Sequence, residues 1–326
     1  MDTYNNERYQ RQVQLERVGE TGQRKLAQAR VLVVGAGGLS ATLLPILAAS
    51  GVGSIKIYDA DVIELSNLHR QILFRMPDIG HYKAMTAQLH LQALNPDIRI
   101  EAYAESINKK NASEALQDVD VVVDAADRFQ VTYLLSDICH QRQIPLVSAS
   151  VLEEHGYVGA FCGQSAPSYR AIFPELPKHM QSCQSAGVLA STVATLASLQ
   201  AHMVLNIILE QIPSALGQML NLDLATWHMQ SFRFDHAPEP EDQWLWLELD
   251  EINNEDYVIE LRNDIEQPLP VYPTVQRHTL DALKNHPLQL RFDQRIVCIC
   301  QSGVRAQQAR LLLKQQGYTQ VAICSS

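Results

Sequence analysis

Between Val31 and Asp59 the chain sets out an order of residues that few folds accommodate. Val31-Leu32-Val33-Val34 is a short apolar β-branched run, which reads as a strand buried on both faces. It enters Gly35-Ala36-Gly37-Gly38-Leu39-Ser40, and an apolar helix-like stretch from Leu39 to Ala49 closes at Ser50-Gly51. Ser54-Ile55-Lys56-Ile57-Tyr58 is a second strand, ending at Asp59. Strand, glycine turn, helix, strand and acid is the order of the dinucleotide-binding βαβ unit. The turn (Gly35, Gly37, Gly38) brings backbone N–H groups and a helix N-terminus to a place a phosphate can reach. Asp59, 24 residues after Gly35, is placed to accept from a ribose hydroxyl. Ser40 stands where a third glycine is usual and is small enough to keep helix and strand close. By itself this pattern serves NAD-dependent oxidoreductases as well as ATP-using enzymes.

The alternation continues. His81 to Leu94 reads as a helix stopped by Asn95-Pro96, Ile98 to Tyr103 and Val119 to Asp124 as strands, and Arg128 to Arg142 as a helix. Ile144 to Ser148 returns to the sheet, and Gly187 to Gln211 is a long apolar helix before Pro213. This predicts a doubly wound, Rossmann-like α/β nucleotide-binding domain over residues 1–235. From Asp235 to Glu266 there are 12 acidic residues and one basic one, Arg262, so this stretch carries the formal charge of -10. The other 24 acids and 25 bases nearly cancel and leave no basic stripe for nucleic acid. Residues 236–254 read as a solvated acidic linker. Beyond it Tyr257 to Leu261, Gln294 to Cys300 and Val321 to Cys324 read as strands and Ala306 to Gln316 as a helix, a small second α/β unit over 255–326. A hydrophobic fraction of 46% supports real cores, and no uninterrupted apolar run reaches bilayer length. Met1 to Arg8 is polar, so no membrane association and a cytoplasmic location are expected. The six cysteines have no disulfide-framework spacing and should be reduced thiols.

Asp59-Ala60-Asp61-Val62-Ile63-Glu64-Leu65-Ser66-Asn67-Leu68-His69-Arg70-Gln71 narrows the choice. This segment resembles the signature of the ubiquitin-activating-enzyme superfamily, in particular its bacterial sulfur-carrier adenylyltransferases (MoeB, ThiF, HesA). The resemblance extends to Arg8-Tyr9-Gln10-Arg11-Gln12, Ile79-Gly80-His81-Tyr82-Lys83, Asp124-Ala125-Ala126-Asp127 and Ser182-Cys183-Gln184-Ser185-Ala186-Gly187, in the family's order from about residue 8 to 233. It implies ATP-dependent adenylation of the C-terminal glycine carboxylate of a ubiquitin-like sulfur carrier, of the molybdopterin-synthase or thiamine type. The chemistry suits the residues. Joining two anions calls for cations along the phosphates, which Arg11, Arg70 and Lys83 supply. Asn67 and Gln71 can orient phosphate oxygens, Asp59 and Asp61 belong to the nucleotide site, and Asp127 can hold Mg2+. The resemblance further implies a homodimer, with Arg11 reaching across to the partner's site. Cys183 matches a cysteine that some relatives bond to their carrier. Two alternatives stay open at this point, a non-catalytic relative acting as an interaction protein and an NAD-dependent oxidoreductase.

The departures are as informative. Many relatives carry two C-x-x-C pairs for structural zinc; the first place reads Ser168-Tyr169-Arg170-Ala171, and Phe232 to Asp242 holds no cysteine, so no zinc is expected. Arg128 replaces a common Asn after the magnesium aspartate. The second unit resembles a rhodanese-like sulfurtransferase domain, through Glu260-Leu261-Arg262 and the loop Cys300-Gln301-Ser302-Gly303-Val304-Arg305 between strand and helix. Cys300 is the expected persulfide carrier, Cys298 a structural thiol, and a cysteine desulfurase the expected sulfur source. The chain stops soon after Ile323, so this unit is expected to be shorter than a complete rhodanese domain.

Overall fold

The strand–helix alternation becomes an eight-stranded sheet in the computed structural model, which describes residues 6–164, 166–177, 187–242 and 244–326. Two N-terminal helices, α1 (Asn6–Val13) and α2 (Gly19–Gln28), precede β1 (Arg30–Val34), α3 (Ser40–Ala49) and β2 (Ser54–Tyr58). Then follow α4 (Lys83–Leu94), β3 (Arg99–Tyr103), a short α5 (Ala112–Ala115), β4 (Val121–Asp124), α6 (Phe129–Arg142) and β5 (Leu146–Leu152). The sheet is extended by β6 (His155–Phe161), β7 (Gln218–Asp223) and β8 (His228–Arg233), with α7 (Tyr169–Ile172) and α8 (Ala190–Ile208) between β6 and β7. Strand order is β3-β2-β1-β4-β5-β6-β7-β8, parallel through β5 and antiparallel after it. The parallel part is the doubly wound sheet that the sequence predicts. The antiparallel half is not visible in the sequence reading, because its outermost strand, β8, is exposed along its length and lacks apolar alternation.

Register explains the core. Val33 lies opposite Ile57 on one side and Val123 on the other, so alternate residues of three strands share a face. Val31, Val33, Ile55, Ile57, Val121 and Val123 pack with Leu43, Leu44 and Leu47 of α3, Leu91 of α4 and Leu196 of α8. Burying each such leucine is worth about 1.5–3 kcal/mol. On length and composition α8 is apolar enough to cross a bilayer, although polar residues interrupt its run. It is a core helix. Val193, Leu196, Ala197, Ala201 and Val204 are buried, and Gln200 donates from Nε2 to the carbonyls of Asp124 (2.8 Å) and Val147 (3.1 Å).

Residues 168–171, where the resemblance leads one to look for a first zinc pair, are held by an ion pair and rings. Arg170 donates to both oxygens of Asp137 (2.6 and 2.9 Å) and lies over the Tyr133 ring at 4.7 Å. Tyr169 meets Tyr133 and Phe161 edge-on, and Phe161 stacks on Phe234 at 5.2 Å. The ion pair and the rings cross-link this corner of the fold.

The smaller compact unit is built on Glu239–Ser326, with short pieces from 128–130 and 173–177. It contains β9 (Trp246–Leu247), β10 (Tyr257–Glu260), β11 (Gln276–Arg277), α9 (Leu280–Asn285), β12 (Ile296–Cys300), α10 (Val304–Gln315) and β13 (Val321–Ser325). Its parallel sheet runs β11-β10-β12-β13-β9. Residues 236–254, expected as a solvated linker, therefore supply an outer strand. The surrounding acids are also less solvated than expected: Asp242 pairs with Lys314 (2.7 Å) and Arg310, Asp256 with Arg295 (2.7 Å), and Glu266 with Arg305 (2.8 Å).

Candidate functional site

The site forms where β1 hands over to α3. Gly35 has φ +95, and a Cβ there would lie 2.5 Å from the Ala125 carbonyl oxygen, so only glycine lets the turn pass this close to the end of β4. Beyond it the α3 N-terminus carries no side-chain cap, leaving its first N–H groups for a ligand. Ser40 is fully buried and donates from Oγ to the Gly35 carbonyl, so the residue in the third glycine's place bonds back to the turn.

Three groups of side chains converge on this turn. Asp59, at the end of β2, accepts from Ala36 N (2.6 Å) and Asp61 N (2.8 Å). Burial pushes its carboxyl up from the ordinary value, and those two N–H bonds pull it back. Asp61 in turn holds the Lys83 ammonium at 2.7 Å; the lysine stem is buried at the start of α4, while Asp61 is 71% exposed. From the other side comes the loop before α4. The Arg70 stem lies within 3.6 Å of where a Gly38 Cβ would sit, and the Gln71 amide 3.9 Å from the corresponding point on Gly37. Arg70 Nη1 donates to the Ser66 carbonyl (3.2 Å) and lies 2.7 Å from the His69 ring. Buried Asn67 accepts from Glu64 N (3.3 Å), which shapes the loop that carries Arg70.

The third group is the turn after β4. Asp127 is exposed and has no hydrogen-bond or ion-pair partner among the described residues. Its neighbour Asp124 is buried, accepting from Ser148 Oγ (2.8 Å) and Ala126 N (3.2 Å). Burial pushes the Asp124 carboxyl up to about 6. Sequence reasoning missed Asp124, Ser148 and Gln200 as the frame of this turn, because their partners are far apart in sequence. Arg128 donates to Gln130 at 3.3 Å.

Arg11 is not brought to this site. Its helix is tied to the far ends of α3 and α4: Gln12 donates to the Ser50 carbonyl (3.0 Å), Arg8 to the Leu94 carbonyl (3.0 Å), and Asn95 to the Tyr9 hydroxyl (2.8 Å). The glycine turn and Lys83 lie at the opposite ends of those helices, and a 10-residue helix spans about 15 Å. Cys183 lies outside the described residues.

In the smaller unit, Cys300 ends β12 and is 1% exposed. Its Sγ accepts from Gly303 N (3.1 Å) and Ala306 N (3.4 Å), so the loop wraps N–H groups around the sulfur. Gly303 has φ +85, and a Cβ there would meet the Trp246 ring at 2.5 Å. Cys298 is fully buried and burial pushes its thiol well up, as suits an inert residue.

Comparison with known proteins agrees with the geometry. The ThiF family model matches residues 9–243. A sulfur carrier protein adenylyltransferase of Thermus thermophilus is 41% identical over 224 residues, 67% of this chain and 83% of the relative. A SAMP-activating enzyme E1 of Haloferax volcanii is 38% identical over 247 residues, 73% of this chain and 89% of the relative. An adenylyltransferase and sulfurtransferase MOCS3 of Culex quinquefasciatus is 40% identical over 233 residues, covering 70% of this chain and 52% of the relative. In fold, the crystal structure of E. coli MccB with ATP superposes with a TM-score of 0.62 at 24% identity, covering 74% of this chain and 73% of that one. Matched over more than half its length by the family model, and over most of the length of its adenylyltransferase relative, this chain belongs to the ThiF family.

Proposed function

We infer that this chain uses ATP to adenylate the C-terminal glycine carboxylate of a ubiquitin-like sulfur-carrier protein, of the molybdopterin-synthase small-subunit type or the thiamine type. The observation that carries the reading is the convergence of Arg70, Gln71, Asp59, the Asp61–Lys83 pair and the Asp127 turn on one glycine turn and one uncapped helix N-terminus. A carrier carboxylate oxygen attacks the α-phosphorus of ATP. The bond from that phosphorus to the pyrophosphate oxygen breaks, and the electron pair leaves with pyrophosphate. No proton has to move, so positioning and charge neutralisation suffice without a protein base. Arg70 and Lys83 offset the phosphate charge, the α3 N-terminus adds backbone donors, and Asp59 receives the ribose.

Asp127 fits Mg2+, since it is an exposed carboxylate with no partner among the described residues. Mg2+ is commonly held by one or two carboxylates plus substrate phosphates rather than by an all-protein cage. When bound, the ion would neutralise phosphate oxygens and ease the departure of pyrophosphate.

The working unit in this reading is a homodimer. Arg11 lies a helix length from its own glycine turn, so it can assist adenylation only in a partner's site. The surface beside the site has the apolar character of an interface: Leu65, Ile72, Met76, Ile79, Tyr82, Met85 and Leu89 are all exposed. Cys300, carrying a persulfide filled by a cysteine desulfurase, is the sulfur source in this scheme, and the rhodanese-like unit supplies it to the activated carrier. Five described cysteines are free and buried, which agrees with a reducing cytoplasmic setting. The NAD-dependent alternative leaves Arg70, Lys83 and Asp127 without a task. A non-catalytic relative has no need to keep them assembled.

Carrier-dependent ATP–pyrophosphate exchange tests the proposal, using purified protein, each candidate carrier and an Asp127→Ala control. Exchange with one carrier, lost in the control, is the expected result and names the pathway. Folded protein that exchanges with neither carrier would overturn adenylation in favour of a binding role.

A further inference from the structure

The Arg70 guanidinium is held at one end. Its Nη1 lies 2.7 Å from His69 Nε2 and donates to the Ser66 carbonyl at 3.2 Å, while Nε and Nη2 have no hydrogen-bond partner among the described residues. A guanidinium only donates, so His69 Nε2 has to accept. The ring is therefore the neutral tautomer with its proton on Nδ1. The backbone beneath the pair is fixed. Arg70 N and Gln71 N both donate to the Asn67 carbonyl (3.1 and 2.9 Å), and Asn67 and Gln71 are themselves buried. Leu68 packs against the core, and the Arg70 stem runs past Gly38 of the glycine turn.

Ring and carbonyl are both uncharged acceptors. Three other arginines show the alternative, each fixed by a carboxylate: Arg170 by Asp137 (2.6 Å), Arg295 by Asp256 (2.7 Å) and Arg305 by Glu266 (2.8 Å). A carboxylate fixes the fork and cancels its charge, whereas an imidazole fixes it and leaves the charge whole. The edge left open on Arg70, Nε with Nη2, is one that can grip two phosphate oxygens side by side. We propose that His69 is a positioning residue for adenylation. Its neutral imidazole anchors Arg70 through Nη1, so that Nε and Nη2 meet the ATP phosphates with the positive charge uncancelled. The proposal rests on the reading of Arg70 as a phosphate-binding cation. His69 is itself exposed and acts through Arg70 without touching the nucleotide.

The test is carrier-dependent ATP–pyrophosphate exchange by the full-length protein, with KM for ATP and kcat read separately. A glutamine amide oxygen reaches about as far as Nε2 and is neutral, a glutamate oxygen reaches as far and is charged, and alanine has no acceptor. His69→Ala should raise the KM for ATP by about threefold to fivefold and leave kcat within about twofold, because bound phosphates can draw Arg70 back into place. His69→Gln should bring the KM back to within about twofold of wild type. His69→Glu should have a kcat/KM about tenfold below that of His69→Gln, with kcat itself reduced, because its carboxylate still holds the guanidinium in the transition state. In an Arg70→Ala background the difference between His69→Ala and His69→Gln should vanish to within about twofold, since both act through a side chain that is gone. Glu matching Gln, Gln no better than Ala, or an Ala–Gln difference that persists without Arg70 overturns the role of His69 while adenylation stands. If the wild type exchanges with no carrier, the adenylation reading fails first, and the proposal falls with it.

Discussion

The two candidate sites treat their cations in opposite ways. At the glycine turn, Arg70 meets Ser66 O and the His69 ring and no carboxylate among the described residues, and Lys83 meets a single carboxylate that is 71% exposed. Around Cys300, Arg305 and Arg262 are each gripped by a carboxylate through two N–H donors. Both sites have a helix N-terminus next to a glycine, so the backbone alone does not distinguish them. The difference lies in what each must bind. A polyanion needs cations left underpaired until it arrives, whereas one buried sulfur is served by backbone amides in a field of cancelled charge.

If the underpaired cations do the chemistry, removing one should produce the largest effect. Arg70→Ala or Lys83→Ala should lower carrier-dependent exchange by about 10²–10³-fold, the usual loss for a single charge-stabilising donor, with an unchanged circular dichroism spectrum. Arg11→Ala should be similarly inactive by itself. Mixing it with Lys83→Ala protein should restore about a quarter of wild-type activity, because half the dimers are then mixed and each has one complete site. Failure to complement would remove the contribution across the interface.

The larger unit also contains an arginine paired with a carboxylate, Arg170, set in a cluster of rings rather than at the glycine turn. Its side chain is 6% exposed and Asp137 is 50% exposed. Arg170→Met should cost about 2 kcal/mol in urea unfolding, between the values for exposed and fully buried pairs. A zinc chelator should leave the midpoint where it was. A chelator-induced drop would mean that metal, not packing, holds this corner.

Asp124 sharpens the contrast, because it is a buried carboxylate held by Ser148 Oγ and Ala126 N rather than by a cation. Its raised value of about 6 means that the folded state prefers the protonated form. That contribution to stability is complete below the ordinary carboxylate range and is lost as pH rises through about 6. Asp124→Asn removes the ionisation. Between about pH 5 and pH 8 the difference in unfolding free energy should therefore move in favour of the variant by about 1–2 kcal/mol. A difference independent of pH would show that Ser148 and Ala126 hold the carboxylate ionised throughout.

What the sequence disclosed follows the range of the forces involved. Gly35, Asp59 and the start of α4 at Lys83 were legible because backbone sterics, strand ends and helix periodicity are written in adjacent residues. Arg70 and Asp127 were legible as a resemblance, without a view of what they pair with. The ion pairs were not. Arg170–Asp137, Asp242–Arg310, Asp256–Arg295 and Glu266–Arg305 join residues more than thirty positions apart, so the acidic stretch read as a solvated linker although much of it is neutralised. β9 escaped notice for a similar reason: two residues pairing with β13 leave no periodic trace.

The smallest expected effect is the most diagnostic for the comparison. Asp61 is the one carboxylate on a cation of the glycine-turn site among the described residues, and its exposure makes its pair with Lys83 worth less than about 1 kcal/mol to the fold. When phosphate arrives, Lys83 has to be shared with it or released. Asp61→Asn keeps the shape of the side chain and removes the competing charge. The KM for ATP in the exchange assay should then fall by about threefold, with unfolding free energy changed by less than about 1 kcal/mol. A KM that rises instead would mean that Asp61 serves to hold Lys83 in place for the phosphates. The glycine-turn site would then resemble the Cys300 loop, where a carboxylate fixes a cation in position, and the two sites would differ in degree rather than in kind.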